Sequence, residues 1–345
     1  ILSSPETAAS YIPLKREYVR KTEWEYDFAH VKGQHLAKKG LEIAAAGGHN
    51  AILCGSPGCG KTLMAKCLPS ILPPMSKMEA LETSKIYSVA GKGSPRGGLL
   101  RQRPFRSPHY SASIAALLGG GSDNIMPGEI SLAHNGILFA DEFCEMPKRV
   151  MEALRGPMED SKVTISRLSS KVEYPADFML VAATNPCPCG YYGEGDRCTC
   201  TPAKRIAYMS KLSGPIMDRI DIQLWMKPID PKRLVDRKRG EASQCVAERV
   251  MRAREIQKKR FAEDGMFCNA AMNSRMIEKH CPLSTDCRNL LEKIIERMGL
   301  SARACSRIIK LARTIADLEN ARDISCEHIS EAASYRFLDK QGLDY

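Results

Sequence analysis

One run of eight residues carries chemistry in its types and spacing: Gly55-Ser56-Pro57-Gly58-Cys59-Gly60-Lys61-Thr62. Gly55 and Gly60, separated by four residues and followed by Lys and Thr, fit the phosphate-binding loop pattern. Glycine lets a backbone take positive φ and approach a ligand with no Cβ in the way. The N–H groups of such a loop converge on phosphate oxygens, aided by the positive end of the following helix. Lys61 is suited to the β- and γ-phosphates of a nucleoside triphosphate, and the Thr62 hydroxyl to Mg²⁺.

A second site lies in Asp141-Glu142, which close the apolar run Gly136-Ile137-Leu138-Phe139-Ala140. Open parallel sheets bind ligands at the C-terminal ends of their strands. There Asp141 would hold Mg²⁺, directly or through water, while Glu142 polarises an attacking water. Phe178-Met179-Leu180-Val181-Ala182-Ala183 reads as another buried strand, ending in Thr184-Asn185 at that same edge. The Asn185 amide either orients water or the γ-phosphate, or simply caps the next turn.

Immediately afterwards come Cys187-Pro188-Cys189 and, eight residues later, Cys198-Thr199-Cys200. Four thiolates on two knuckles suit a closed, structural zinc site. The one-residue spacing is tighter than usual, so free thiols or a redox pair stay open. Arg219, set between Asp218 and Asp221, is either a surface ion pair or an arginine finger offered to a neighbouring subunit's nucleotide. Arg303 and Arg307 share a helix face, and either could reach back to the phosphates.

These residues need elements to position them. Asn50-Ala51-Ile52-Leu53-Cys54 is a buried strand before the loop, and Leu63–Leu68 a helix that stops before Pro69. An earlier helix is expected over Gln34–Ala46, packing through Leu36, Leu41 and Ile43 and ending at Gly47-Gly48. Gly91–Ser122 holds Lys92, Arg96, Arg101, Arg103 and Arg106 but no acid, so it is a solvated basic loop or an anion-binding element. Val163–Asp177 alternates around Arg167–Lys171 and reads as a hairpin with a basic tip. Past Pro228 the stripes Val246, Val250, Ala253, Ile256 and Leu300, Ala304, Ile308, Leu311, Ile315, Leu318 predict long helices. The expected plan is a linker (1–26), an α/β nucleotide-binding domain (27–228) and a separate helical lid (229–345).

The whole chain has 345 residues, 43% hydrophobic and 26% charged, which is ordinary for a globular protein. The sequence has no apolar run long enough to span a membrane and opens on no signal peptide. It opens on Ile1 rather than Met, which reads as a piece of something longer. Fourteen cysteines, several beside the phosphate loop, suggest thiols in a reducing cytoplasm rather than disulfides. A net charge of +11 favours a polyanionic partner.

Phosphate loop, acidic pair, Asn-ended strand, arginine and helical lid together resemble an AAA+ ATPase. Three strings are more specific: Arg103-Pro104-Phe105-Arg106-Ser107-Pro108-His109, Pro127-Gly128-Glu129-Ile130-Ser131-Leu132-Ala133-His134, and Asn185-Pro186-Cys187-Pro188-Cys189-Gly190-Tyr191-Tyr192-Gly193. With Ser301-Ala302-Arg303-Ala304, they resemble the magnesium-chelatase-like ComM/YifB family over about residues 27–340. Ala140 departs from the bulkier residue usual there, and Tyr110 stands where a second His is common. The resemblance implies a P-loop α/β core of helix-2 insert type and a hexameric, ATP-driven DNA translocase promoting branch migration during natural transformation. It implies that Lys61 and Thr62 bind phosphate and Mg²⁺, that Asp141 and Glu142 are the Walker B pair, and that Asn185 is sensor 1. Arg219 becomes the finger acting in trans and Arg303 the sensor 2 arginine. Residues 91–122 become the helix-2 insert, with the 163–177 hairpin beside it facing a central pore. Arg96, Arg101, Arg103, Arg106 and Lys171 would then grip a DNA backbone. A metal-chelatase motor or a protein-remodelling ATPase is the rival reading.

Overall fold

Short apolar runs bounded by glycine and polar residues become the strands of one buried sheet. In the computed structural model, residues 24–93, 98–121, 124–166, 171–212, 214–229 and 239–339 are described. Most of the expected linker, Arg96, the hairpin tip at residues 167–170 and residues 230–238 lie outside them. In chain order the strands are β1 (Ala51–Gly55), β2 (Phe105–Arg106), β3 (Gly119–Gly120), β4 (Met126–Pro127), β5 (Gly136–Ala140), β6 (Lys162–Ser166), β7 (Lys171–Pro175), β8 (Phe178–Thr184) and β9 (Ile222–Met226). The main sheet has the order β2-β5-β8-β1-β9, and every pair in it is parallel. β1 and β5 are buried along their whole length, as strands covered by helices on both faces must be.

Register decides what meets what. Cys54 pairs with Thr184 and Ala140 with Ala182. The residues that follow these strands therefore emerge along one edge of the sheet.

The basic stretch 91–122 is divided by the fold rather than looped out as one insertion. Phe105–Arg106 is the edge strand β2 on β5. A short helix, Ile114–Leu118, then leads into the β3–β4 hairpin, which runs on to Pro127. β6 and β7 form a second antiparallel hairpin. The two hairpins touch: the Tyr174 hydroxyl donates to the Ile125 carbonyl at 2.6 Å.

The helix His35–Gly47 buries Leu41 and Ile43, but Leu36 is 57% exposed. Leu36 lies five positions before Leu41, about 140° round the helix, and so turns off the buried face. Ser76 and Glu79 form a capping box that starts the helix Lys77–Val89. Beyond residue 239 the described elements are helical: Ser243–Arg260, Ser274–His280, Thr285–Met298, Ala302–Leu318 and Cys326–Ser334. Their apolar faces pack against the α/β part as well as on one another. Val250, Leu311 and Ile315 belong to the same continuous cluster as Leu53 and Met64 beside the phosphate loop.

A shared core couples the two parts on unfolding. Leu311→Ala should cost about 3 kcal/mol and shift one common urea transition, read alike by far-UV circular dichroism and tryptophan fluorescence. Two separated transitions would show independent domains.

Candidate functional site

The phosphate loop leaves β1 and turns at Gly58 and Gly60, whose φ values are 79° and 94°. A side chain at either position would be strained, so glycine is required there. Lys61 is buried, and its ammonium donates to the carbonyls of Gly55 (2.5 Å) and Ser56 (2.9 Å) and to Asn185 Oδ1 (3.1 Å). The Thr62 hydroxyl donates to Asp141 Oδ2 at 2.9 Å, and Asp141 Oδ1 accepts the Glu142 N–H at 3.0 Å. Two hard oxygen ligands beside a loop of backbone donors are the set that Mg²⁺ with a triphosphate requires. Glu142 is exposed at the strand end in the left-handed region, φ 49°, a conformation costly for a non-glycine residue and common at functional sites.

Gln34 is a residue that the sequence pattern did not single out for the site. Its side-chain amide donates to Cys59 O (3.2 Å) and Lys227 O (2.7 Å), tying the loop to the segment after β9. Gln34 is the N-cap of the helix His35–Gly47, held at φ 55° directly after Gly33 at φ 64°. Gly33 and His35 border a cavity of about 680 Å³ that runs to Ile315 and Leu318 of the C-terminal helices.

The arginines lie elsewhere. Asn50, at the start of β1, donates through its side chain to Arg219 O, and its carbonyl accepts from Asp221 N. Arg219 is thus a strand's length, roughly 16 Å, from the phosphate loop of its own chain. It is largely buried, with one guanidinium nitrogen on Pro215 O (2.6 Å), another paired with exposed Glu159, and a buried Nε without a partner. Arg303 faces Asp218 at 3.7 Å and is 67% exposed, while Arg307 pairs with buried Asp221. The reach of Arg303 or Arg307 back to their own phosphates is therefore not what the fold gives. The helix Ala302–Leu318 lays its apolar face on the core, which brings its first turns beside Asp218 and Asp221.

Asp221 also contacts His49 (3.2 Å), whose other ring nitrogen meets Thr314 Oγ1 at 2.8 Å. Burial opposes the Asp221 charge, but Arg307 and His49 outweigh it and hold the carboxyl well below its usual range.

With this geometry in view, comparison with known proteins decides the family. The pattern "Magnesium chelatase, subunit ChlI" matches residues 27–234, and its C-terminal counterpart matches 240–336. The chain belongs to the magnesium chelatase ChlI family of AAA+ ATPases. It is similar to "Uncharacterized protein YifB" of Salmonella typhimurium, 46% identical over 316 residues, 91% of this chain and 61% of that protein. "Competence protein ComM" of Haemophilus influenzae is 42% identical over 333 residues, 94% of this chain and 64% of its own. "Probable DNA helicase MCM9" of Arabidopsis thaliana is a remote relative, 22% identical over 231 residues, 67% of this chain and 29% of its own. The chain therefore spans less than two thirds of YifB and ComM.

Two of the basic residues expected to grip DNA are engaged within this AAA+ fold. Arg103 donates to Pro73 O and Asn135 O, both at 2.7 Å, and pairs with Glu79 at 2.9 Å. Arg106 is bidentate on Glu129, at 2.6 and 2.7 Å. Both are pinned because the edge strand β2 must be fixed to its neighbours. Arg101 and Lys171 remain exposed.

The four cysteines come together: the sulfurs of Cys187, Cys189, Cys198 and Cys200 all lie within 4.8 Å of one another. The cluster follows Asn185 directly. Among the described residues no helix is long and apolar enough to cross a membrane.

Asp221 generates a test of the arginine edge. Asp221→Asn should cost about 3 kcal/mol near neutral pH, because partly exposed Arg307 and buried His49 lose the carboxylate they share. The wild-type advantage is fully present above about pH 4 and declines as acid titrates the carboxyl toward its depressed folded value. Urea melts across that range measure both.

Proposed function

We propose that the chain is an ATP-driven DNA translocase that hydrolyses ATP between subunits of a closed ring. The observation that carries this is the split placement of charge: Lys61, Thr62, Asp141 and Asn185 on one edge of the sheet, Arg219 and Arg303 on the other. A head-to-tail contact brings one protomer's arginines to its neighbour's phosphates, and such contacts close into rings; by family resemblance the ring is a hexamer. Thr62 and Asp141 would hold Mg²⁺, which would supply charge neutralisation for the triphosphate. Gly55, Ser56, Pro57, Gly58, Cys59 and Gly60 cradle the phosphates through backbone N–H groups. Lys61 gives up its carbonyl partners for phosphate oxygens, Asn185 orients the γ-phosphate, and Glu142 aligns the attacking water. Arg219, released from Glu159, and Arg303 stabilise the charge that develops on the transferred group.

The DNA reading is supported by the competence protein and the probable DNA helicase among the relatives. It is supported also by the net charge and by two hairpins tied side by side. Arg101, Lys162 and Lys171 would contact the backbone without reading bases. Lys162 and Lys171 pair with exposed Glu173, and giving up such exposed pairs costs little. Branch migration in a reducing cytoplasm is the specific activity that the likeness to ComM favours. A chelatase-type motor acting on a protein is the second reading, favoured by the family's description.

Lys61→Ala should lose nucleotide binding, while Glu142→Gln should bind ATP and barely turn it over. Arg219→Ala should bind ATP yet hydrolyse it at least about a hundredfold more slowly, and mixing it with Lys61→Ala subunits should restore part of the rate. DNA should stimulate hydrolysis, with the stimulation falling steeply as salt rises. Stimulation by a protein partner and not by DNA would favour the second reading.

A further inference from the structure

The cysteine cluster is built like a metal site and is wedged against the nucleotide site. A tetrahedral zinc with bonds of about 2.3 Å sets its sulfurs about 3.8 Å apart. Here Cys187 and Cys189 lie 3.3 Å apart, Cys187 and Cys198 3.9 Å, and Cys189 and Cys198 3.7 Å. A disulfide needs about 2.05 Å, so the sulfurs are gathered without being bonded. The Gly190 N–H donates to the Cys187 carbonyl at 2.9 Å, which closes the first knuckle into a tight turn. Arg197 lies over the Tyr191 ring and Arg205 over the Tyr192 ring, placing positive charge beside a site whose four thiolates exceed the charge of one divalent ion.

Three contacts tie this knot to its surroundings. Cys187, fully buried, comes two residues after Asn185, which holds Lys61. Gly190 has φ 86°, and a Cβ there would lie 2.7 Å from Pro57 Cδ in the phosphate loop. Tyr192 packs edge-on against Trp225 of β9, and Trp225 in turn against Phe337. The turn is therefore pressed between the phosphate loop and the two strands that flank β1.

We propose that Cys187, Cys189, Cys198 and Cys200 bind one zinc ion, and that this knot is a strut holding Pro57 and Asn185 in the geometry that nucleotide binding requires. The strut rests on the triphosphate reading of the phosphate loop; the zinc site does not. Without the metal, four thiols have no reason to keep a glycine-rich turn in contact with Pro57, and the loop loses one wall.

The test measures metal content and nucleotide affinity separately. Purified full chain should carry one zinc per molecule, and cobalt substituted for it should show the visible bands of a tetrahedral tetrathiolate. Paired Cys198→Ser and Cys200→Ser should remove the metal and weaken binding of a fluorescent ATP analogue at least tenfold, with far-UV circular dichroism preserved. Gly190→Ala should keep zinc yet weaken the analogue similarly, because its methyl displaces Pro57. Iron in place of zinc, or no stoichiometric metal, overturns the site. Zinc present in the unaltered chain, with affinity unchanged in both variants, overturns the strut alone. Failure of the unaltered chain to bind the analogue, with zinc present, overturns the triphosphate reading and the strut with it, and leaves the site standing.

Discussion

The pairing of β8 between β1 and β5 is the constraint from which the site follows. Because all three strands are parallel and their registers end together, a lysine, a threonine, two acids and an asparagine from distant parts of the chain reach one edge. Had β5 paired with β1 directly, Asn185 would lie outside the pair rather than between Lys61 and Asp141. The bonds Lys61–Asn185 and Thr62–Asp141 record that intercalation. One joins the end of β8 and the other the end of β5 to the helix after the phosphate loop, so shifting either strand by a residue would part its own bond.

The opposite edge is organised by carboxylates instead of carbonyls. Glu159, Asp218 and Asp221 each receive an arginine, and Asn50 links that cluster to the start of β1. The two edges share the same strands but use opposite charges. On the proposed reading, Mg²⁺ and phosphate go to the first, and the second offers its arginines to a neighbour's anion.

Much of this was legible before any coordinates. The glycine spacing around Lys61 and the strand-ending Asp141 and Asn185 are local signals, since each needs only its immediate neighbours to be read. What the sequence could not show was direction across space. Arg303 and Arg307 shared a face with suitable spacing, but which end of the sheet that face met depended on how the last helices joined the core. Arg103 and Arg106 looked like surface charge because their partners, Glu79 and Glu129, are remote in sequence. Gln34 was hidden by a turn whose backbone leaves no mark in residue type. Leu36 was read as buried because a short window cannot separate neighbouring helix faces.

The grip of Glu159 on Arg219 has a consequence for economy. If Arg219 acts between subunits as proposed, a protomer on its own holds that cation against its own Glu159, and dilution would lower turnover with no inhibitor bound.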